Sequence, residues 1–122
     1  MSAAMTELMA SQLLAKELWI SFASLLRSHV SMHSVARPDC ELRVLLNTGS
    51  VVEVLGPNGK MTIVAPTASN KGAIEFRPKA GEQVDEYSAF FFTEDGLLNV
   101  EDVNDSMDIE AAVDYLLNRV RA

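Results

Sequence analysis

The segment HVSMHSVARPDC, residues 29–40, holds both histidines of the chain and its only cysteine. In a helix His29 and His33 stand one turn apart on one face, a spacing at which paired imidazoles chelate zinc, nickel or copper. Asp39 and Cys40 follow within reach of a turn and can supply a third ligand. A closed structural zinc site needs a fourth, and the neighbouring sequence offers none. His29 also falls within an apolar series, and a histidine in the last helical turn is favoured by the helix dipole without any metal. The segment therefore reads as the end of a helix. No cofactor and no metal are expected, and His29 and His33 are the weak candidates should a metal bind. Cys40 reads as a small buried residue at the start of a strand. A single cysteine forms no internal disulfide.

Other signatures fail on spacing or context. GPNGKMT, residues 56–62, has the ring of a phosphate loop. That loop needs four residues between its glycines and a helix after them, whereas here two residues intervene and a strand follows. It reads as a hairpin. DVNDSMDIE, residues 102–110, alternates oxygen-bearing side chains as a calcium loop does. Met107 stands where such a loop needs glycine, and Val113 where it needs a bidentate glutamate. This stretch reads as helix capping. There is no G-x-S-x-G elbow and no Cys–His pair in a recognisable setting. Carboxylate pairs such as Glu101/Asp102 lie in a uniformly acidic region, and nothing sets two of them apart in environment. The chain reads as leaning away from catalysis.

The elements that would position these residues are well punctuated. All six glycines and four prolines fall between candidate elements and none within one. Residues 6–34 read as one helix, with Leu14, Leu18, Phe22, Leu25, His29 and Met32 recurring three and four apart. Trp19, Leu26 and Val30 widen that stripe, and Thr6 is its expected N-cap. Strands are expected at 41–46, 51–55, 61–65, 73–77, 87–93 and 97–101, rich in β-branched and aromatic residues. Asn47-Thr48-Gly49, Pro57-Asn58-Gly59 and Glu94-Asp95-Gly96 each suit a turn whose glycine takes positive φ. Strands 1–2, 2–3 and 5–6 are therefore expected to pair as antiparallel hairpins. A final helix is expected over 106–121, capped by Asp105 or Ser106, with Ile109, Val113, Leu116 and Val120 as its apolar stripe.

The expected fold class is α+β: a long N-terminal helix, an antiparallel meander of about six strands and a C-terminal helix, the helices mainly on one face of the sheet. Residues 6–122 form the one expected domain and residues 1–5 an expected disordered N-terminus. No basic segment leads into an apolar signal core at the N-terminus, and no apolar run approaches the roughly 20 residues needed to span a bilayer. A cytoplasmic protein without membrane contact is expected.

Charge is unevenly placed. The net charge is −7; residues 1–79 carry eight Lys/Arg against six Asp/Glu, and residues 80–122 carry two Arg against eleven Asp/Glu. The second region repels phosphate, so no nucleic acid is expected as a partner. It suits a basic protein partner, or the less acidic part of a second copy. In YSAFFFT, residues 87–93, Phe90 and Phe92 face one way and Tyr87, Ala89 and Phe91 the other, so that strand is apolar on both sides. Two helices cover one face of six strands but hardly two. A homodimer follows as an expectation.

The leading functional expectation is a non-enzymatic homodimeric protein-interaction module, adaptor or chaperone-like. In size, acidity and helix–sheet–helix order the chain resembles acidic export chaperones. That likeness covers no motif and lacks the helix expected midway through their sheet. An alternative is a binder of an apolar small molecule held between sheet and N-terminal helix, with Trp19, Met32, Phe76, Phe90 and Phe92 as its wall or as the partner face, while plain core is the stronger reading of the same residues. A further alternative is an enzyme or metal-binding protein without a recognisable motif.

Overall fold

The computed structural model describes residues 3–37, 42–67, 71–79, 85–101, 103 and 105–121, with side chains described from residue 13 onward. The chain runs α1 (Ala3–Ala36), β1 (Arg43–Asn47), β2 (Val51–Gly56), β3 (Gly59–Val64), β4 (Gly72–Pro78), β5 (Glu86–Phe92), β6 (Leu98–Val100) and α2 (Ile109–Val120). The strands form one sheet in sequence order, every neighbouring pair antiparallel. The three expected hairpins are present. The two longer links, which carry no turn signature, also join antiparallel neighbours.

Two of the three glycine turns take the expected form. Gly96 has φ +82° and Gly59 φ +150°. At Gly59 a side chain would put Cβ 2.2 Å from the Arg77 carbonyl oxygen. Gly49 does not take positive φ. There the Thr48 hydroxyl closes the turn instead, accepting from the backbone N–H of Ser50 at 3.3 Å and of Val51 at 3.0 Å. A threonine that can hydrogen-bond locally removes the need for glycine.

Alternation along the strands sorts the sheet into two faces. Val52, Val54, Met61, Ile63, Ile74, Phe76, Phe90, Phe92, Leu98 and Val100 are all buried on one of them. Both helices pack on that face, α1 through Ala15, Trp19, Phe22, Leu26 and Val30, and α2 through Ala112, Val113, Leu116, Leu117 and Val120. The buried seam of α1 thus runs along the series that sequence periodicity treated as flanking. Leu14, Leu18 and Leu25 are half-buried beside it. This helix is apolar around much of its girth, so period alone does not select a face; the fit of Trp19 and Phe22 under the sheet does.

Two helix starts differ from expectation. α1 begins at Ala3, so Thr6 lies inside it rather than capping it. Of the expected disordered N-terminus, Met1 and Ser2 lie outside the described residues. α2 is capped by Asp108, whose Oδ1 accepts from the Ala111 N–H at 2.7 Å. Met107 explains the delay: its backbone pairs with Leu98 in an antiparallel bridge, which holds the chain extended until Asp108.

The far end of α2 is seated on the β2–β3 hairpin. The Asn58 N–H donates to the Val120 carbonyl and the Asn58 side-chain amide to the Arg121 carbonyl, both at 2.9 Å. These bonds satisfy carbonyls that a helix end leaves without intrahelical partners. Gly56 allows the approach, because a Cβ there would stand 2.3 Å from the Val120 oxygen. GPNG is thus a hairpin whose tip holds a helix terminus.

Candidate functional site

The histidine pair sits on the last three turns of α1. His29 is half-buried, and its Nδ1 lies 3.4 Å from Asp114 Oδ1 of α2, so it bridges the two helices. The His33 carbonyl accepts from the Arg37 N–H at 2.8 Å as the helix ends. Asp39 and Cys40 lie outside the described residues. Among the described residues, no group of three or more His, Cys, Asp or Glu side chains is placed to hold a metal ion.

Of the five residues named as a ligand wall or partner face, Trp19, Phe76, Phe90 and Phe92 join one buried core cluster and Met32 does not. Trp19 is buried with its ring centroid 5.9 Å from that of Phe22, and its Nε1 donates to the Gly49 carbonyl at 3.1 Å. Phe90 and Phe92 meet edge-on within the core, centroids 5.7 Å apart. Phe76 lies beneath the Arg119 guanidinium, 5.1 Å from its centre, and Arg119 also pairs with Glu86. Met32 points away from the core and is 68% exposed. Grooves with space for a guest lie at the rim of the helix–sheet sandwich. One groove of about 410 Å³ lies beside Trp19, between Ala15, Lys16 and the Gly49–Ser50 and Ala65–Thr67 segments. Another of about 440 Å³ lies between the last turns of α1 and β1, lined by Val30, Val35, Leu42 and Val44 with Arg27 and Arg43 at its mouth.

The second face of the sheet is bare, with no described element packed over it. The pairing register aligns Val51, Val64, Ala73 and Ala89 in one apolar row across four strands. A neighbouring row is Leu46, Glu53, Thr62, Glu75 and Tyr87. Charges on this face are locally matched. Lys71 Nζ lies 3.2 Å from Glu101, and Arg77 bonds Glu75 and lies 3.4 Å from Asp85. The hydrogen bond and charge of Glu75, then the charge of Asp85, raise the Arg77 pKa further above its usual range.

The two sheet edges differ. The outer side of β6 is occupied, since Leu98 and Met107 exchange N–H···O bonds of 2.7 and 2.8 Å. The outer side of β1 meets no described strand. β1 carries a bulge between Val44 and Leu46, and Leu45 and Leu46 are 45% and 40% exposed. Val35, on the adjoining end of α1, is 85% exposed. Sequence reasoning did not single out these residues, although Leu45-Leu46 breaks the alternation of a strand and is the signal that would have marked the bulge.

Because strand order follows sequence order, the charge asymmetry of the chain becomes a gradient across the sheet. Glu94, Asp95, Glu101, Asp105, Asp108 and Glu110 are exposed around β6 and the first turn of α2, and Asp114, further along α2, is exposed beside His29. Arg27, Arg37 and Arg43 are exposed around the β1 side. The architecture is an α+β sandwich of two helices on one face of a six-stranded antiparallel meander, and among the described residues no helix is long and apolar enough to cross a membrane. No protein-family model, curated protein or solved structure matches the chain.

Proposed function

We propose that this chain is a non-enzymatic protein-interaction module that acts as a homodimer and takes a basic, partly apolar segment of a protein partner on the bare face of its sheet. One observation carries the reading: both helices lie on the same face, so among the described residues no element covers the apolar row Val51, Val64, Ala73 and Ala89. The acidic side around β6 and the start of α2 supplies a field that draws a basic segment toward the face and orients it. The working compartment in this reading is the cytoplasm.

The apolar small-molecule reading has less support. Four of its named wall residues are packed as core and Met32 lies outside it, and the grooves beside Trp19 and beside β1 are at the rim of the sandwich. A defined probe tests the proposal: a peptide alternating lysine and valine, compared with one alternating glutamate and valine, titrated by calorimetry at low and high salt. The lysine peptide should bind, weaken as salt rises, and lose binding when Val64 and Ala89 are both replaced by lysine. Equal affinity for the two peptides, or no effect of the Val64→Lys and Ala89→Lys pair, contradicts the assignment.

A further inference from the structure

We infer that the second copy docks on the open edge of β1, so that two six-stranded sheets join into one across a two-fold axis lying between Leu45 and Leu46. The inference rests on the homodimer reading and assigns its interface. The first ground is the difference between the edges. Single edges that must stay unpaired are guarded by lysine, proline, an inward charge or a bulge, and of these β1 has the bulge but neither lysine nor proline. β1 has one charge, Arg43 at its start, and two exposed leucines at its centre. The opposite edge is closed by the Leu98–Met107 bridge. A head-to-tail contact of β1 on β6 therefore has no free β6 edge to use, and the symmetric β1–β1 contact remains.

The bulge selects the register. Val44 opposes Val54, and Asn47 opposes Val52, so both lie on the core face; Leu46 opposes Glu53 and lies on the bare face. In a bulge the extra residue shares the side of its neighbour, which places Leu45 with Leu46. Residues opposite one another in a sheet share a face. Antiparallel self-pairing meets that condition when Leu45 opposes the partner's Leu46 and Val44 opposes the partner's Asn47. Four leucines then gather at the axis on the bare face. No like charges stand opposite, because Arg43 meets the partner's Thr48. On the core side, the groove between α1 and β1 is where the inward side chains of a seventh strand would lie, and the partner's β1 fills it beneath Val35.

Electrostatics favours the same edge. Each copy carries −7, and eleven of its seventeen Asp/Glu fall in residues 80–122, most of them in the segments flanking β5 and β6. Joined at β1, the two β6 edges stand about 50 Å apart, taking roughly 4.8 Å per strand. That is several times the Debye length of about 8 Å at physiological salt, so their repulsion is largely screened.

The test is a charge-swap pair. The double variants Leu45→Lys with Leu46→Lys and Leu45→Glu with Leu46→Glu are each compared with wild type by light scattering across concentration, with circular dichroism as the check of fold. Each variant alone should dissociate with a dimer constant raised about tenfold or more, and mixing the two should restore a dimer. A wild-type chain that is monomeric throughout removes the homodimer reading itself. Wild type and both variants all dimeric would retain that reading and overturn the β1 interface. Should a variant misfold, hydrogen exchange of the wild type decides. Protection of amides 43–47 that grows with concentration supports the interface, and growth confined to other segments overturns it.

Discussion

Replacing Gly56 with alanine should unseat the C-terminus of α2 from the β2–β3 hairpin. The new Cβ would stand 2.3 Å from the Val120 oxygen and 2.7 Å from its carbonyl carbon, both backbone atoms. Ordinary carbon–oxygen contact requires about 3.3 Å, so helix end and hairpin must separate by about 1 Å. A backbone cannot yield as the tip of a flexible side chain does. Overpacking of this kind costs about 1–3 kcal/mol. The separation also stretches the two 2.9 Å bonds from Asn58 to Val120 and Arg121, each contributing about 0.5–1.5 kcal/mol. The strain and the stretched bonds relieve one another in part, so the expected loss is about 2–4 kcal/mol rather than their sum. In urea, with a slope of about 1–3 kcal/mol/M, the unfolding midpoint should fall by roughly 1–2 M. Gly49→Ala is the control: nothing lies within 4 Å of its added Cβ. It should leave the midpoint unchanged or raise stability by about 0.4–1 kcal/mol. Asn58→Ala should fall between the two, since it removes the side-chain bond and keeps the backbone one. Equal midpoints for Gly56→Ala and Gly49→Ala would refute the docking of α2 on the hairpin.

Three further outcomes follow from the same contacts. Phe90→Ala should cost about 3–5 kcal/mol, and Phe91→Ala, on the bare face, less than half as much; chemical denaturation of both checks the assignment of the faces. Trp19→Phe strips the donor from the Gly49 carbonyl and leaves a smaller ring in a buried indole's place, an expected loss of about 1–3 kcal/mol. In the wild type this single, 4% exposed tryptophan should emit at short wavelength and shift red on unfolding. Asp108→Ala should lower stability by about 1 kcal/mol and Ser106→Ala by clearly less, as read from paired melting curves.

The meander was legible because its punctuation is local. Glycine or proline marks every boundary except that between β6 and α2, and hairpin turns force neighbours to pair. Elements went astray where a distant partner decides. Met107 delays α2 by pairing with Leu98, a bond between segments that no local signal announces. Gly56–Gly59 pairing begins β3 two residues before its expected start at Met61. The buried side of α1 depends on what Trp19 and Phe22 meet. The apolar wall was the least legible part. Strand alternation places Phe76, Phe90 and Phe92 on one face, but composition does not show whether that face is lined or filled, and here the helices fill it. The bare face was visible in outline, since a strand apolar on both sides needs two covers and the chain has helices for one. Leu45 and Leu46 escaped because an exposed edge is a property of the whole sheet.

Native mass spectrometry of untagged protein, purified without chelator, tests the central claim most directly. It weighs the assembly and anything retained in it. A dimer with no added mass is the predicted result. A monomer carrying tens of daltons would contradict the account in favour of a metal near His29 and His33, and one carrying hundreds would do so in favour of a small-molecule ligand.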